Sequence, residues 1–155
     1  MKNRFIFALQ ALIFSTITIG IIAFITLNTN YILLIGSFGA TMVLIFGFPE
    51  IPFSQPKNIF FGHLITSFVG ILIYKNVFLS TYLLIAISVG LGIFLMIILN
   101  VTHPPAGGNA IVIILLENVS YDFLIFPITI GTLVIIFLGV VFNRFLCRRK
   151  YPSNL

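Results

Sequence analysis

The sequence has few charged residues and a single cysteine. Only 7% of its 155 residues are charged and 60% are apolar, whereas roughly 25% of a soluble domain is charged. A water-exposed protein of this size could not hide so many apolar side chains, but a bilayer lets them face outward. The composition therefore excludes an ordinary soluble domain and predicts one transmembrane domain over residues 1–155. Because Cys147 is alone, a disulfide within the chain is excluded.

Acidic residues are absent from the long apolar stretches. The chain has three of them, Glu50, Glu117 and Asp122, and each falls between apolar segments. Carboxylates in mid-membrane are typical of proton and sodium relays, so cation transport is disfavoured. The sequence also offers no nucleophile paired with a base and too few histidines and cysteines for a metal site. We therefore expect no enzymatic activity, no metal and no cofactor.

Six apolar segments follow one another, separated by short polar or proline-rich stretches. A helix needs about 20 mostly apolar residues to cross a bilayer. The fifth segment has only 13, which is typical of a half-helix or re-entrant segment as well as of a crossing one. We predict an all-α integral membrane protein with six segments, of which the second and fifth are short or broken. They are Phe5–Leu27, Tyr31–Phe48, Ile59–Leu79, Tyr82–Leu99, Pro104–Leu116 and Phe123–Phe145.

The basic residues indicate the orientation of the segments. The formal charge of +5 does not indicate a nucleic-acid partner, because the basic residues lie near segment ends. The first segment lacks an Ala-x-Ala cleavage pattern, so we expect it to remain as a span. With six crossings and both termini cytoplasmic in a bacterial inner (plasma) membrane, only Lys75 lies outside. The seven cytoplasmic basic residues are then Lys2, Arg4, Lys57, Arg144, Arg148, Arg149 and Lys150.

The two halves of the chain, about 5–79 and 80–147, resemble each other. Three segments per half would give the halves opposite orientations, which is the inverted-repeat plan of many secondary transporters. General likeness between apolar helices is the alternative explanation. An offset of 69 positions pairs Gly39 with Gly108, Gly62 with Gly131, Gly70 with Gly139, Phe68 with Phe137 and Lys75 with Arg144.

Two stretches of small residues align in this repeat, each at or near the start of a segment. Small residues allow close approach of a backbone or a ligand, and proline is suited to a helix start. A helix start carries unpaired N–H groups and the positive end of the macrodipole, which favour an anion. We expect two opposed starts to form a mid-membrane site for a small inorganic anion, with close helix packing as the alternative. The candidate binding residues are Ser37, Phe38, Gly39, Ala40, Thr41, Pro105, Ala106, Gly107, Gly108 and Asn109.

The two histidines and one lysine are candidates for a gate or vestibule. His63 and His103 both fall near the cytoplasmic ends of their segments and could face each other across one vestibule. Either could bind an anion as imidazolium or shuttle a proton. Lys57 could attract anions to the same vestibule. The alternatives are histidines that only form hydrogen bonds at helix ends, and a lysine that only marks the topology.

The stretch 102–110, which contains His103-Pro104-Pro105, resembles the signature of the HPP family of integral membrane proteins. An upstream block strengthens the likeness, which covers roughly residues 33–115, although Gly108-Asn109 departs from the pattern. The resemblance implies nitrite or a similar monovalent anion, because chloroplast and cyanobacterial members are linked to nitrite transport. It also implies four spans rather than six. The upstream residues are Ser37 to Ala40, Pro49, Pro52, Ser54 to Asn58, Gly62 and His63.

Two classes of function remain open from the sequence. The first is a carrier or channel for a small anion, with nitrite as the leading candidate. The second is a non-transporting membrane scaffold whose small residues pack partner helices, or a transporter of another small solute. The sequence does not determine the preferred anion, the coupling to protons or the oligomeric state, and a homo-oligomer is one possibility.

Overall fold

The computed structural model describes residues 2–29, 31–116 and 119–153, and Glu117 therefore lies outside the described residues. Within that part of the chain the fold is all-helical, as predicted. A 3₁₀ turn, Pro104–Gly108, leads into the fifth helix, and irregular helical turns extend the sixth over Tyr121–Leu146. The helices are α1 Lys2–Asn28, α2 Gly36–Gly47, α3 Pro56–Asn76, α4 Thr81–Ile98, α5 Asn109–Leu116 and α6 Ile130–Val140.

Segments two and five are short in the structure. α2 has 12 residues, and at 1.5 Å per residue it extends about 18 Å, well below the roughly 30 Å of a hydrocarbon core. It is also shorter than predicted, because residues 31–35 are not helical. The other short apolar helix is Pro104–Leu116. Four helices are long and apolar enough to cross a membrane, namely Arg4–Asn28, Pro56–Asn76, Thr81–Ile98 and Tyr121–Leu146.

The long helices keep many apolar side chains on the outside of the molecule. Only 17% of the most apolar part of α1 and 22% of that of α4 are buried within the molecule. Phe24 and Phe94, for example, are 67% and 57% exposed. In water such a surface would aggregate, whereas in a bilayer it faces lipid tails. The distribution of burial thus agrees with the membrane class that the composition predicts.

Glycines let the two short helices pack closely on the long ones. A Cβ added to Gly70 of α3 would lie 3.0 Å from the Cα of Ala110 in α5. On α6, a Cβ at Gly131 would overlap the ring of Phe38, and a Cβ at Gly139 would overlap the side chain of Ile45. Hence α5 lies against α3, while the side chains of α2 insert into α6. These contacts bury Phe38 near the start of α2, and Asn109 and Ala110 at the start of α5.

The turn after α4 directs the chain back into the core. Asn100 has a left-handed φ of 54°, a conformation that asparagine tolerates better than most residues. The Val101 N–H donates to the Met96 carbonyl at 2.9 Å and the Asn100 N–H to the Ile97 carbonyl at 3.0 Å, which is a Schellman arrangement. His103 lies three residues after Asn100 and is fully buried.

The residues after α6 fold back over the loop between α2 and α3. Tyr151 is 1% exposed, and its hydroxyl donates to the Ser54 carbonyl at 2.8 Å. Arg149 donates to Asn143 Oδ1 at 2.9 Å and to the Gln10 side chain. The sequence identified this basic tail only as a topology marker, but Tyr151 and Arg149 also pack it onto the helices.

Candidate functional site

A polar cluster lies inside the molecule where α2, α3 and the turn before α5 meet. It consists of the side chains of Thr41, His63, Ser67, His103 and Asn109. Each of these residues is at most 1% exposed. Polar groups in such an interior are costly unless hydrogen-bonded, and in membrane proteins they often mark substrate or ion pathways. The hydrogen bonds of the cluster therefore decide what it can do.

Thr41 is the centre of the polar cluster. Its Oγ1 lies 3.1 Å from His63 Nε2 and 2.9 Å from His103 Nε2. The ring centroids of the two histidines are 5.0 Å apart. Asn109 Nδ2 lies 2.9 Å from His63 Nδ1 and donates to Ser67 Oγ at 3.0 Å. One threonine from α2 thus connects an imidazole on α3 with an imidazole from the turn before α5.

The hydrogen bond between His103 and the Phe53 carbonyl determines which group donates in each of the other hydrogen bonds of the cluster described here. His103 Nδ1 lies 2.7 Å from the carbonyl oxygen of Phe53, which can only accept, so Nδ1 carries the hydrogen. A neutral His103 then accepts at Nε2 from the Thr41 hydroxyl. The Thr41 oxygen accepts in turn from His63 Nε2–H, and His63 Nδ1 accepts from the Asn109 amide. Two neutral imidazoles satisfy all of these contacts.

The protonation of His103 agrees with this neutral arrangement. His103 lies in the loop between α4 and the turn that leads into α5. Burial lowers the pKa of His103 to about 4, although the bond to the Phe53 carbonyl acts in the opposite direction. The imidazole is therefore neutral at pH 7.

Other residues predicted for the site surround this cluster. Phe38 is buried and packs edge-on against the His63 ring, with centroids 5.2 Å apart. The Ser37 carbonyl oxygen lies 3.1 Å from Thr41 Oγ1, while the Ser37 hydroxyl is buried without a partner among the described residues. Ala106 is fully buried. The two stretches of small residues therefore meet at His63, which Thr41 contacts from one stretch and Asn109 from the other.

The glycines of these stretches do not make the close contacts that the sequence suggested. A Cβ added to Gly39, Gly107 or Gly108 would meet nothing within 4 Å. Neither Gly39 nor Gly108 is therefore in tight contact with a neighbouring helix, and Gly39 instead lines a cleft between α1 and α2. Ala40 and Pro105 instead line a shallow cleft with other α2 residues. The tight position is Gly62, where a Cβ would lie 2.7 Å from His103 Cβ.

The two histidine rings face each other as expected, but Lys57 lies at the surface and not beside them. Both histidines are fully buried, whereas Lys57 is exposed. Lys57 lines a surface pocket of about 410 Å³ together with Gln55, Asn58 and Asn100. Asn58 donates to the Thr102 carbonyl at 2.9 Å. One residue that lines this pocket is therefore hydrogen-bonded to the residue before His103.

Comparison with known proteins agrees with the membrane fold. The family model described as "HPP, transmembrane region" matches residues 2–152. The chain belongs to the HPP transmembrane family. Two transmembrane proteins of Dictyostelium discoideum are similar to it, at 35% identity over 81% of this chain and 32% identity over 83%. The chain spans 46% and 43% of the lengths of these two relatives. No solved structure matches it at a significant level.

Two parts of the site in this HPP chain escaped the sequence analysis. Ser67 lies four residues after His63, so both project from one face of α3, and this spacing could have indicated it. The Phe53 carbonyl has no such signal, because it belongs to a short 3₁₀ turn, Pro52–Ser54, that lies 50 positions from His103. In residues 2–29, 31–116 and 119–153, no three His, Cys, Asp or Glu side chains are grouped so as to hold a metal ion.

Proposed function

We propose that this HPP-family chain transports a small monovalent anion across the membrane, with nitrite as the first candidate, and that it is not an enzyme. The observation that carries the proposal is the polar cluster of Thr41, His63 and His103 with Asn109, buried in an otherwise apolar helical molecule. Buried polar networks are costly in a membrane protein and mark solute pathways by default. Nitrite itself is suggested by the family resemblance.

Hydrogen-bond donors beside the cluster favour an anion over a cation. The Ser37 hydroxyl is buried and unpartnered among the described residues. α2 begins at Gly36 without a side-chain cap, so its positive end is available to a negative solute. The other helix start contributes less than expected from the sequence, since Pro104 and Pro105 have no N–H. The Ser37 hydroxyl therefore flanks the proposed anion position.

We also propose that the chain is an inverted repeat of three plus three segments, with α2 and α5 as the equivalent short helices. Reciprocal contacts of the aligned glycines support this arrangement. Gly62 of α3 faces His103 next to the start of segment five, and Gly131 of α6 faces Phe38 near the start of α2. Two opposed short helices would give the pathway one half from each copy. Both termini would then be cytoplasmic, in a bacterial inner membrane.

The test is anion flux in liposomes that contain the purified protein. Nitrite, nitrate, formate and chloride are each supplied outside, and uptake is compared with protein-free liposomes. We expect protein-dependent uptake of nitrite, and we expect His63→Ala to reduce it strongly. The matched control is Thr132→Val, which alters a buried threonine whose hydroxyl binds only carbonyls of its own helical segment. Uptake of none of the four anions would refute the proposal and favour a membrane scaffold.

A further inference from the structure

We infer that the polar cluster binds one proton together with each anion, so that the chain carries proton and anion in the same direction without net charge. This inference rests on the anion transport proposed above and adds the coupling ion. Its basis is the geometry around the Thr41 hydroxyl, which can satisfy its neighbours in two protonation states without moving any heavy atom.

In the neutral state, the Thr41 hydroxyl donates to His103 Nε2 at 2.9 Å and accepts from His63 Nε2–H at 3.1 Å. A second acceptor is already within reach of the same hydroxyl, because the Ser37 carbonyl oxygen lies 3.1 Å from Thr41 Oγ1. A threonine hydroxyl has one hydrogen, accepts up to two hydrogen bonds and turns about its C–O bond. The Ser37 carbonyl is therefore an alternative position for the Thr41 hydrogen.

In the protonated state, a proton adds to the lone pair of His103 Nε2 and forms an N–H bond. The imidazolium then donates to the Thr41 oxygen, and the Thr41 hydrogen turns to the Ser37 carbonyl. Thr41 would accept from both histidines and donate once, so every polar atom in this part of the cluster remains bonded. When the proton leaves, the Nε2–H bond breaks and the hydroxyl turns back. No other covalent bond is made or broken.

The groups around His103 leave the anion as the counter-charge. Among the described residues packed around it, His63 is the only other titratable side chain. α2 contributes Thr41 and the loop before α3 contributes the Phe53 carbonyl, while Asn109 at the start of α5 contacts His63. The charged residues of that loop region, Glu50 and Lys57, are exposed, and the Tyr151 hydroxyl binds the Ser54 carbonyl.

A buried imidazolium without a counter-charge would be costly, and so would a buried anion without one. Each therefore favours the binding of the other, and the coupling is reciprocal. Proton and anion should thus enter the cluster together and leave it together. The net result is transport of a weak acid, with its proton and its anion bound at separate positions.

The first experiment counts protons on binding and needs no transport. Nitrite is titrated into the detergent-solubilised full chain by calorimetry in two buffers of different ionisation enthalpy. We expect uptake of about one proton per nitrite at pH 7. The apparent affinity for nitrite should therefore weaken about tenfold for each unit by which the pH rises. Thr41→Val should lose the proton uptake, because valine has the same shape without the hydroxyl. Thr41→Ser should keep it, as should the matched control Thr132→Val.

The second experiment follows pH inside liposomes with a trapped dye during nitrite uptake. We expect the liposome interior to acidify as nitrite enters. A membrane voltage set with potassium and valinomycin should not change the rate of uptake, because no net charge is carried. Nitrite binding and flux without proton uptake would overturn this inference and leave anion transport standing. Absence of both binding and flux would instead refute the proposed function. Because the proton count is read on the wild-type chain, the inference is decided even if Thr41→Val fails to fold, and full proton uptake in a folded Thr41→Val would also overturn it.

Discussion

Gly62→Ala tests whether the turn before α5 must pack directly on α3. The added methyl carbon would lie 2.7 Å from His103 Cβ and 3.2 Å from the Val101 carbonyl oxygen. Carbon atoms normally rest about 3.5 to 4.0 Å apart, so the loop that carries His103 has to move by roughly 1 Å. The bond between Thr41 and His103, now 2.9 Å long, would then be stretched or broken. We expect Gly62→Ala to destabilise the fold by about 1–3 kcal/mol, as overpacking usually does, and to abolish nitrite flux.

The assay combines thermal unfolding of the detergent-solubilised protein by circular dichroism with nitrite uptake in liposomes. For a chain of this size, about 2–4 °C of melting temperature corresponds to 1 kcal/mol. Gly108→Ala is the matched control, since its methyl group would meet nothing within 4 Å and its backbone φ is not positive. We expect it to keep the wild-type melting temperature and flux. The reasoning fails if Gly62→Ala behaves like wild type, or if Gly108→Ala is as damaging.

Three further predictions concern the tail, the topology and the pH dependence of stability. Tyr151→Phe removes the bond to the Ser54 carbonyl and should cost about 1 kcal/mol, measured as a lower melting temperature than that of the exposed-site control Tyr82→Phe. An impermeant thiol reagent should label Cys147 only in permeabilised cells, and labelling in intact cells would contradict a cytoplasmic tail. His103 has a pKa of about 4 in the folded protein against an ordinary value near 6.5 in the unfolded chain. As the pH falls, the unfolded chain therefore binds the extra proton before the folded protein does. Stability should fall between pH 6.5 and pH 4, by at most about 1.4 kcal/mol per pH unit from this group. A melting temperature that stays constant over this range, or that falls equally in His103→Gln, would refute the prediction.

The elements and the location of the cluster could largely be predicted from the sequence. Apolar segments about 20 residues long indicate spans, and clusters of glycine and proline mark where α2 and the turn before α5 begin. Thr41 and Asn109 are candidates because they lie in those stretches, and His63 and His103 because they are the two histidines of the chain and fall near segment ends. Composition and local pattern are sufficient for these features, because they depend on neighbours in the sequence.

The contacts inside the cluster could not be predicted in the same way. Thr41 and His103 are 62 positions apart, and only the packing of α2 beside the turn before α5 brings them together. The glycines show the same limit. An offset of 69 positions pairs Gly39 with Gly108 and Gly62 with Gly131 without distinction, yet a Cβ would meet nothing at the first pair and would overlap a neighbouring side chain at the second. Which glycine meets a neighbour depends on which side of each helix faces the core.

The short helices explain why a neutral cluster of this kind forms at all. A helix that is too short to cross the hydrocarbon begins or ends inside the protein, and the adjoining loops bring backbone polar groups with them that water cannot satisfy. His103 meets one of these needs through its bond to the Phe53 carbonyl, and Thr41 in turn donates to His103 Nε2. The same two side chains carry the groups that can exchange a proton, so the contacts that make the broken segments stable also form the proposed pathway. Replacing His103 with an apolar residue would leave the Phe53 carbonyl and the Thr41 hydroxyl without this partner, and stability and transport should therefore be lost together.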